Sequence, residues 1–160
     1  MDNNLYISFH KPGGLIGAAI SLWTWGKYSH VEFVYRGCVY LANPGGVRVK
    51  PFVKKKNADI FKVSEAVDPE AVIDFFYGSR GRGYDYLGIL GQAFYARRVQ
   101  DNEKYFCSEF CLNALDYAMN FTLEDKGKKF SDMRNYAYSP SKLFKYLQKI
   151  NLIGKEKTDV

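Results

Sequence analysis

The stretch YFCSEFC, residues 105–111, sets a cysteine directly ahead of Ser-Glu, where a helix is expected to begin. A free thiol has a pKa of about 8.5, so at neutral pH it is mostly protonated. A helix N-terminus offers unpaired backbone N–H groups and the positive end of the helix dipole, and both favour the thiolate. Cys107 therefore occupies a position where a reactive sulfur can be made. The ordinary alternative is a cysteine packed as a small hydrophobe, and a partner residue decides between the two.

The chain has two histidines. His30 opens the segment HVEFVY, whose β-branched and aromatic residues read as a strand. An imidazolium beside a thiol lowers its pKa and can hand a proton to a leaving group. A strand histidine facing the start of the Cys107 helix would give the Cys-His pair of papain-like hydrolases, which is recognised by roles and not by chain order. Alternation puts Glu32 on the same strand face as His30, where it can orient or charge-pair the ring. The candidate catalytic set is thus Cys107, His30 and Glu32. Asn43, ending the next strand, is a possible third residue in place of Glu32, and Tyr28 is a candidate oxyanion or substrate contact. His10, ahead of Lys11-Pro12-Gly13, has no evident partner in the sequence.

Other chemistries fit less well. Cys107 and Cys111 share a helix face, and His30 could join them on a metal, but a structural zinc wants four ligands in paired close spacings. Only Cys38 or His10 remains to complete that set. No metal and no cofactor are expected. The run SRGRGYDYLG lacks the Gly-Lys-Ser/Thr ending of a phosphate loop. The lysine knots at 54–56 and 126–129 show no nucleic-acid-binding signature.

The elements that must position these residues can be read from periodicity and turn chemistry. Leu5 to Phe9 reads as a short strand, and Leu15 to Trp25 as a buried helix. Ser29 to Tyr35, Cys38 to Ala42 and Val47 to Phe52 read as strands joined by Arg36-Gly37 and Asn43-Pro44-Gly45-Gly46 turns, an antiparallel meander. Asp59 to Val63 is expected to be a further strand. Asp68-Pro69-Glu70 is a helix start, with a cap, a proline at the first position and an acid in the first turn. Helices are also expected over Tyr86 to Tyr95, over Cys107 to Met119, and from Ser139-Pro140 through Leu147. The order predicts an α+β fold, an antiparallel meander sheet packed against helices.

Bulk properties are consistent with this. The chain of 160 residues is 47% hydrophobic and 17% aromatic, enough for a core and unlike a disordered chain. One domain over 1–153 with a frayed tail at 154–160 is expected. Three cysteines do not make a disulfide framework, and the N-terminus lacks the pattern of a secretory signal, so a cytoplasmic setting is expected. No apolar run is long enough to span a membrane. The net charge of +6 favours an anionic partner.

Taken in order, YSHVEFVY, GGVRVKPF, YDYLGILG, YFCSEFC and SPSKL resemble the circularly permuted papain-like family, whose members include permuted NlpC-type peptidases and the lecithin:retinol acyltransferase group. The variety with SHVE and FCSE is similar to small bacterial and bacteriophage members, which would put the chain in a host cytoplasm. The resemblance covers about residues 5–147. It implies a permuted papain-like fold with Cys107 as nucleophile and His30 as general base. It also implies a cysteine-dependent hydrolase or acyltransferase acting on an amide, ester or thioester in a peptide, peptidoglycan stem or acyl lipid. The family usually carries a third polar residue on the strand after the histidine strand. Here CVYLAN puts Leu41 at that position, which shifts the third role to Glu32, with Asn43 behind it. The competing expectation is a catalytically silent basic module that binds a nucleic acid or an acidic protein.

Overall fold

The computed structural model describes residues 3–13, 26–43, 46–79, 107–119 and 139–159, together with the backbone of 124–125 and 128–129. The helices expected over Leu15 to Trp25 and Tyr86 to Tyr95 lie outside these residues. The described chain is α+β. Five strands run β1 Tyr6–His10, β2 His30–Tyr35, β3 Cys38–Asn43, β4 Gly46–Pro51 and β5 Ala58–Lys62. Three helices follow: α1 Pro69–Ser79, α2 Cys107–Ala118 and α3 Pro140–Lys149. A two-residue pair, β6 Glu124–Asp125 with β7 Lys128–Lys129, lies between α2 and α3 in the chain.

The sheet order is β4-β3-β2-β1-β5, with every neighbour antiparallel. The meander β2–β3–β4 follows the turn chemistry. Arg36 and Gly37 both have positive φ, 45° and 75°, as a type I′ hairpin turn requires. β1 and β5 are not part of that run. β1 inserts beside β2, and β5 closes the far edge beside β1. The register sets His10 opposite His30 and Ser8 opposite Glu32.

Period-two alternation sorts the sheet into two faces. Ile7, Phe9, Val31, Phe33, Tyr40, Ala42 and Phe61 lie in the main core with the buried sides of the helices. α2 packs against α1, β2, β3 and α3. Phe144 of α3 meets Phe9, Tyr28 and Phe61 edge-on or tilted, and Phe76 of α1 meets Tyr40 and Phe110. Fully burying each such ring contributes on the order of 1.5–3 kcal/mol. The other face carries a smaller apolar group of Tyr6, Val34, Val39, Leu41 and Ile60, beside the buried polar residues Ser8, His10 and Glu32. Leu41, at the expected third polar position, thus packs with hydrocarbon.

The helix starts match their sequence signals. Asp68 Oδ1 accepts the N–H of Glu70 just ahead of α1, and Ser139 Oγ accepts the N–H of Lys142 at the head of α3, with Pro140 in its first turn. The tail behaves differently from expectation. Residues after Gly154 were expected to fray on composition, yet they are tied to the outer edge of β5. The N–H groups of Gly154 and Thr158 donate to the carbonyls of Lys62 and Ile60, Lys157 Nζ reaches Asp59, and Lys54 Nζ reaches Asp159. Unpaired backbone groups along an edge strand attract any chain that can satisfy them, and here residues 154–158 do so. Among the described residues, no helix is long and apolar enough to cross a membrane.

Candidate active site

Cys107 is the first residue of α2, and β2 begins at His30. The β2–β3 ladder pairs Phe33–Tyr35 with Cys38–Tyr40. The head of α2 sits against the start of β2, beyond those paired residues. The Cys107 sulfur receives the backbone N–H groups of Val31 and Ser108 and is hydrogen-bonded to the His30 ring. Cys107 is only 4% exposed, whereas the His30 side chain keeps 22% of its surface.

Glu32 completes the arrangement. The Nε2 of His30 lies 3.2 Å from Glu32 Oε2. A carboxylate only accepts, so Nε2 carries the proton, and the other ring nitrogen, Nδ1, is the one available to the sulfur. The second Glu32 oxygen, Oε1, lies 2.8 Å from Nε2 of His10, and Lys55 Nζ stands 3.8 Å from the same atom. Glu32 is buried and bridges both histidines of the chain, whose rings lie 5.4 Å apart.

The electrostatics follow from this geometry. Burial opposes ionisation of Cys107, but the His30 charge and hydrogen bond and the two backbone N–H groups outweigh it, and the thiol lies below its ordinary value. Burial likewise opposes the charged form of His30. The Cys107 thiolate and then Glu32 overcome it and carry the imidazole from 6.5 up to about 9. Glu32, penalised by burial, is held well below the usual carboxylate range by hydrogen bonds from His10 and His30. Cys111, one turn further along α2, goes the other way. Burial and the charges of Cys107 and Glu32 push its thiol well above the ordinary value.

The structure therefore brings together Cys107, His30 and Glu32, and it adds His10. It does not bring in the other two candidates. Asn43 Oδ1 accepts from Arg48 Nη2 at 2.7 Å. Tyr28 is fully buried, its hydroxyl donating to Asp59 Oδ2 at 2.8 Å and its backbone N–H to Ser141 Oγ at 2.7 Å. Both of its donors are engaged away from the sulfur, which corrects the expectation of an oxyanion contact. The reason is local: Tyr28 packs between Phe9 and Phe144, and that fixes its hydroxyl on Asp59. His10 was missed because its partner comes from strand pairing. Had β1 been set antiparallel to β2 with Ser8 opposite Glu32, alternation would have put His10 beside the carboxylate.

A second polar cluster lies on β5, two strands from β2. Asp59 on β5 draws Lys157 at 2.8 Å, Lys27 at 3.1 Å and Lys11 at 3.4 Å. Burial opposes its charge, but these ammonium groups and the Tyr28 hydroxyl hold its pKa far below the ordinary value. Three half-exposed lysines around one carboxylate leave positive charge in surplus. Among the described residues, no group of three or more His, Cys, Asp or Glu side chains is placed to hold a metal ion.

Comparison with known proteins adds no relative: no protein-family model matches the chain, and no curated protein matches it.

Proposed function

We propose that the protein is a cysteine-dependent hydrolase or acyltransferase built on a circularly permuted papain-like core, acting on an amide, ester or thioester. The observation that carries this reading is the Cys107–His30–Glu32 chain of contacts at the head of α2. It joins a thiol lowered by the His30 charge and hydrogen bond and by two backbone N–H groups, an imidazole raised by that thiol, and a carboxylate on the far ring nitrogen. A buried structural cysteine calls for none of these, and Cys111 on the same helix lacks them.

In the proposed reaction the Cys107 thiolate attacks the acyl carbon, and a C–S bond forms as the carbonyl electrons move onto oxygen. The N–H groups of Val31 and Ser108, which face the sulfur, stand beside the attacked carbon and serve as oxyanion donors in place of Tyr28. As the tetrahedral species collapses, the C–N, C–O or C–S bond to the leaving group breaks, and His30 gives that group its proton. The neutral imidazole then takes a proton from water or an acceptor amine, which attacks the thioester and releases Cys107. Glu32 keeps the ring oriented and stabilises its charged form throughout. The net charge of +6 favours a substrate with an anionic group. A peptide, a peptidoglycan stem and an acyl lipid each offer such a group.

The test is a panel of acyl electrophiles of amide, ester and thioester type, applied to the wild type, Cys107→Ala and His30→Ala. Labelling of the wild type at Cys107, lost in the first variant and strongly slowed in the second, is the expected result. The most reactive probe then reports the acyl preference. No labelling at Cys107, together with salt-sensitive binding of a nucleic acid or acidic protein, would replace this reading with the silent binding module.

A further inference from the structure

We infer that His10 is a positioning residue for His30: by donating from Nε2 to one oxygen of Glu32, it fixes the carboxylate so that the other oxygen faces the His30 ring. This inference rests on the reading of Cys107 and His30 as a catalytic pair.

The argument begins with what a bare carboxylate on β2 would do. Glu32 is buried, and its long side chain has rotamers that direct it away from His30. Hydrogen bonds from both sides remove that freedom. His10 Nε2 stands 2.8 Å from Oε1, closer than His30 Nε2 stands to Oε2, at 3.2 Å. His10 is itself held, with Ser8 Oγ 3.1 Å from the same Nε2. Ser8, His10 and Glu32 do not form a serine-histidine-acid relay, because serine and carboxylate address one ring nitrogen, whereas a relay needs one on each. The contact from Ser8 instead keeps Nε2 directed at Glu32. Strand register supplies the placement, since His10 faces His30 across the β1–β2 ladder and Ser8 faces Glu32.

The charged and titratable groups around the carboxylate come from every neighbouring element. His10 is on β1 and His30 on β2, Lys55 comes from the segment between β4 and β5, and Cys107 and Cys111 come from α2. Lys55 is half-exposed and stands 3.8 Å from Oε1, so it competes for the oxygen that His10 holds. Without the His10 donor, Glu32 swings toward Lys55, His30 loses its oriented partner, and the thiolate loses part of its counter-charge.

The experiment measures iodoacetamide alkylation of Cys107 against pH in the wild type, His10→Ala, His10→Asn and His10→Gln. Glutamine places an amide N–H close to where Nε2 stands, while asparagine stops short of it. The acid limb of the profile is expected to move to higher pH by about one unit in the alanine and asparagine variants, slowing alkylation near neutrality about tenfold. Glutamine should restore the wild-type profile. Unchanged profiles in folded alanine or asparagine variants overturn the inference, and so does glutamine proving as slow as asparagine. Failure of the underlying reading looks different: wild-type Cys107 would then react no faster than Cys38 or Cys111. In that case NMR titration of the His30 ring decides. A lower midpoint in His10→Asn than in wild type and His10→Gln upholds the positioning role, and equal midpoints end it.

Discussion

Replacing Cys107 by serine should change how stability depends on pH. In the folded protein Cys107 lies below its ordinary value and His30 at about 9, so the thiol proton is drawn toward the imidazole. Taken singly, raised His30 contributes stability that is fully present below 6.5 and is lost as pH rises through about 9. Lowered Cys107 contributes stability that is present above the free thiol value of about 8.5 and is lost as pH falls through its folded value. Between these ordinary values the unfolded chain keeps its proton on sulfur, and transfer of that proton to nitrogen in the folded chain leaves the proton count unchanged, so the transfer adds no pH dependence there. Below 6.5 the unfolded wild type binds one proton more, and stability falls by about 1.4 kcal/mol per pH unit. In Cys107→Ser the sulfur's contribution vanishes. That chain should be flat below 6.5, and since it lacks the thiolate that raises His30 most, any fall above 6.5 should end at a lower pH than about 9. Because the thiolate is also the first cause of the raised His30, the stability difference between the two proteins climbs with pH at up to about 1.4 kcal/mol per unit until His30 of the variant gives up its proton, and is level from there to the free thiol value. Groups common to both chains cancel in that difference. Urea denaturation followed by far-UV circular dichroism, with reductant, at steps from about pH 5.5 to about pH 8.5 measures it. Parallel curves, with a difference that does not change with pH, would mean that no proton has passed from sulfur to nitrogen.

Three further outcomes are expected. At neutral pH, iodoacetamide should modify Cys107 at least about tenfold faster than Cys111, whose thiol is raised by burial and by neighbouring negative charge, and His30→Ala should remove most of that advantage, as read by peptide mass spectrometry. Glu32→Gln should bring the His30 midpoint down from about 9 toward 6.5 in an NMR titration, and it should cost about 1–3 kcal/mol of stability through the weakened buried hydrogen bonds from His10 and His30. Asp59→Asn should lower stability at neutral pH by about 1–3 kcal/mol, since it strips the shared counter-charge from Lys11, Lys27 and Lys157. Because the Asp59 pKa is depressed, that contribution is present above 3.8 and is lost as pH falls through the lower folded value, so the gap between wild type and variant should close in acid denaturation.

What the sequence disclosed and what it withheld divide along the range of the interactions. The β2–β3 hairpin could be read because alternation and the Arg36-Gly37 turn are local. The heads of α1 and α3 could be read because Asp68, Pro69, Ser139 and Pro140 act within a turn of the chain. Cys107 could be singled out because a helix start is a local feature, and Glu32 could be placed beside His30 by strand period alone. The seat of β1 between β2 and β5 was not legible, because nothing local says which strand a strand will pair with. Two misreadings at the site trace to that gap. His10 lacked a partner until the β1–β2 register supplied one, and Tyr28 looked available until Asp59, 31 residues on, took its hydroxyl. The tail looked soluble and loose because composition cannot show that β5 has an open edge beside it.

That same tail has a consequence for how copies of the molecule behave toward one another. β4 and β5 are the sheet's outer strands. β4 ends in Pro51 and carries Arg48 and Lys50, features that discourage strand addition from a stranger. β5 carries the apolar pair Ile60-Phe61 and has no proline, and it is shielded by the residues that follow Ile153. Removing those residues would leave Cys107, His30 and Glu32 in place and uncover a sticky rim, so a truncated preparation would begin to clump.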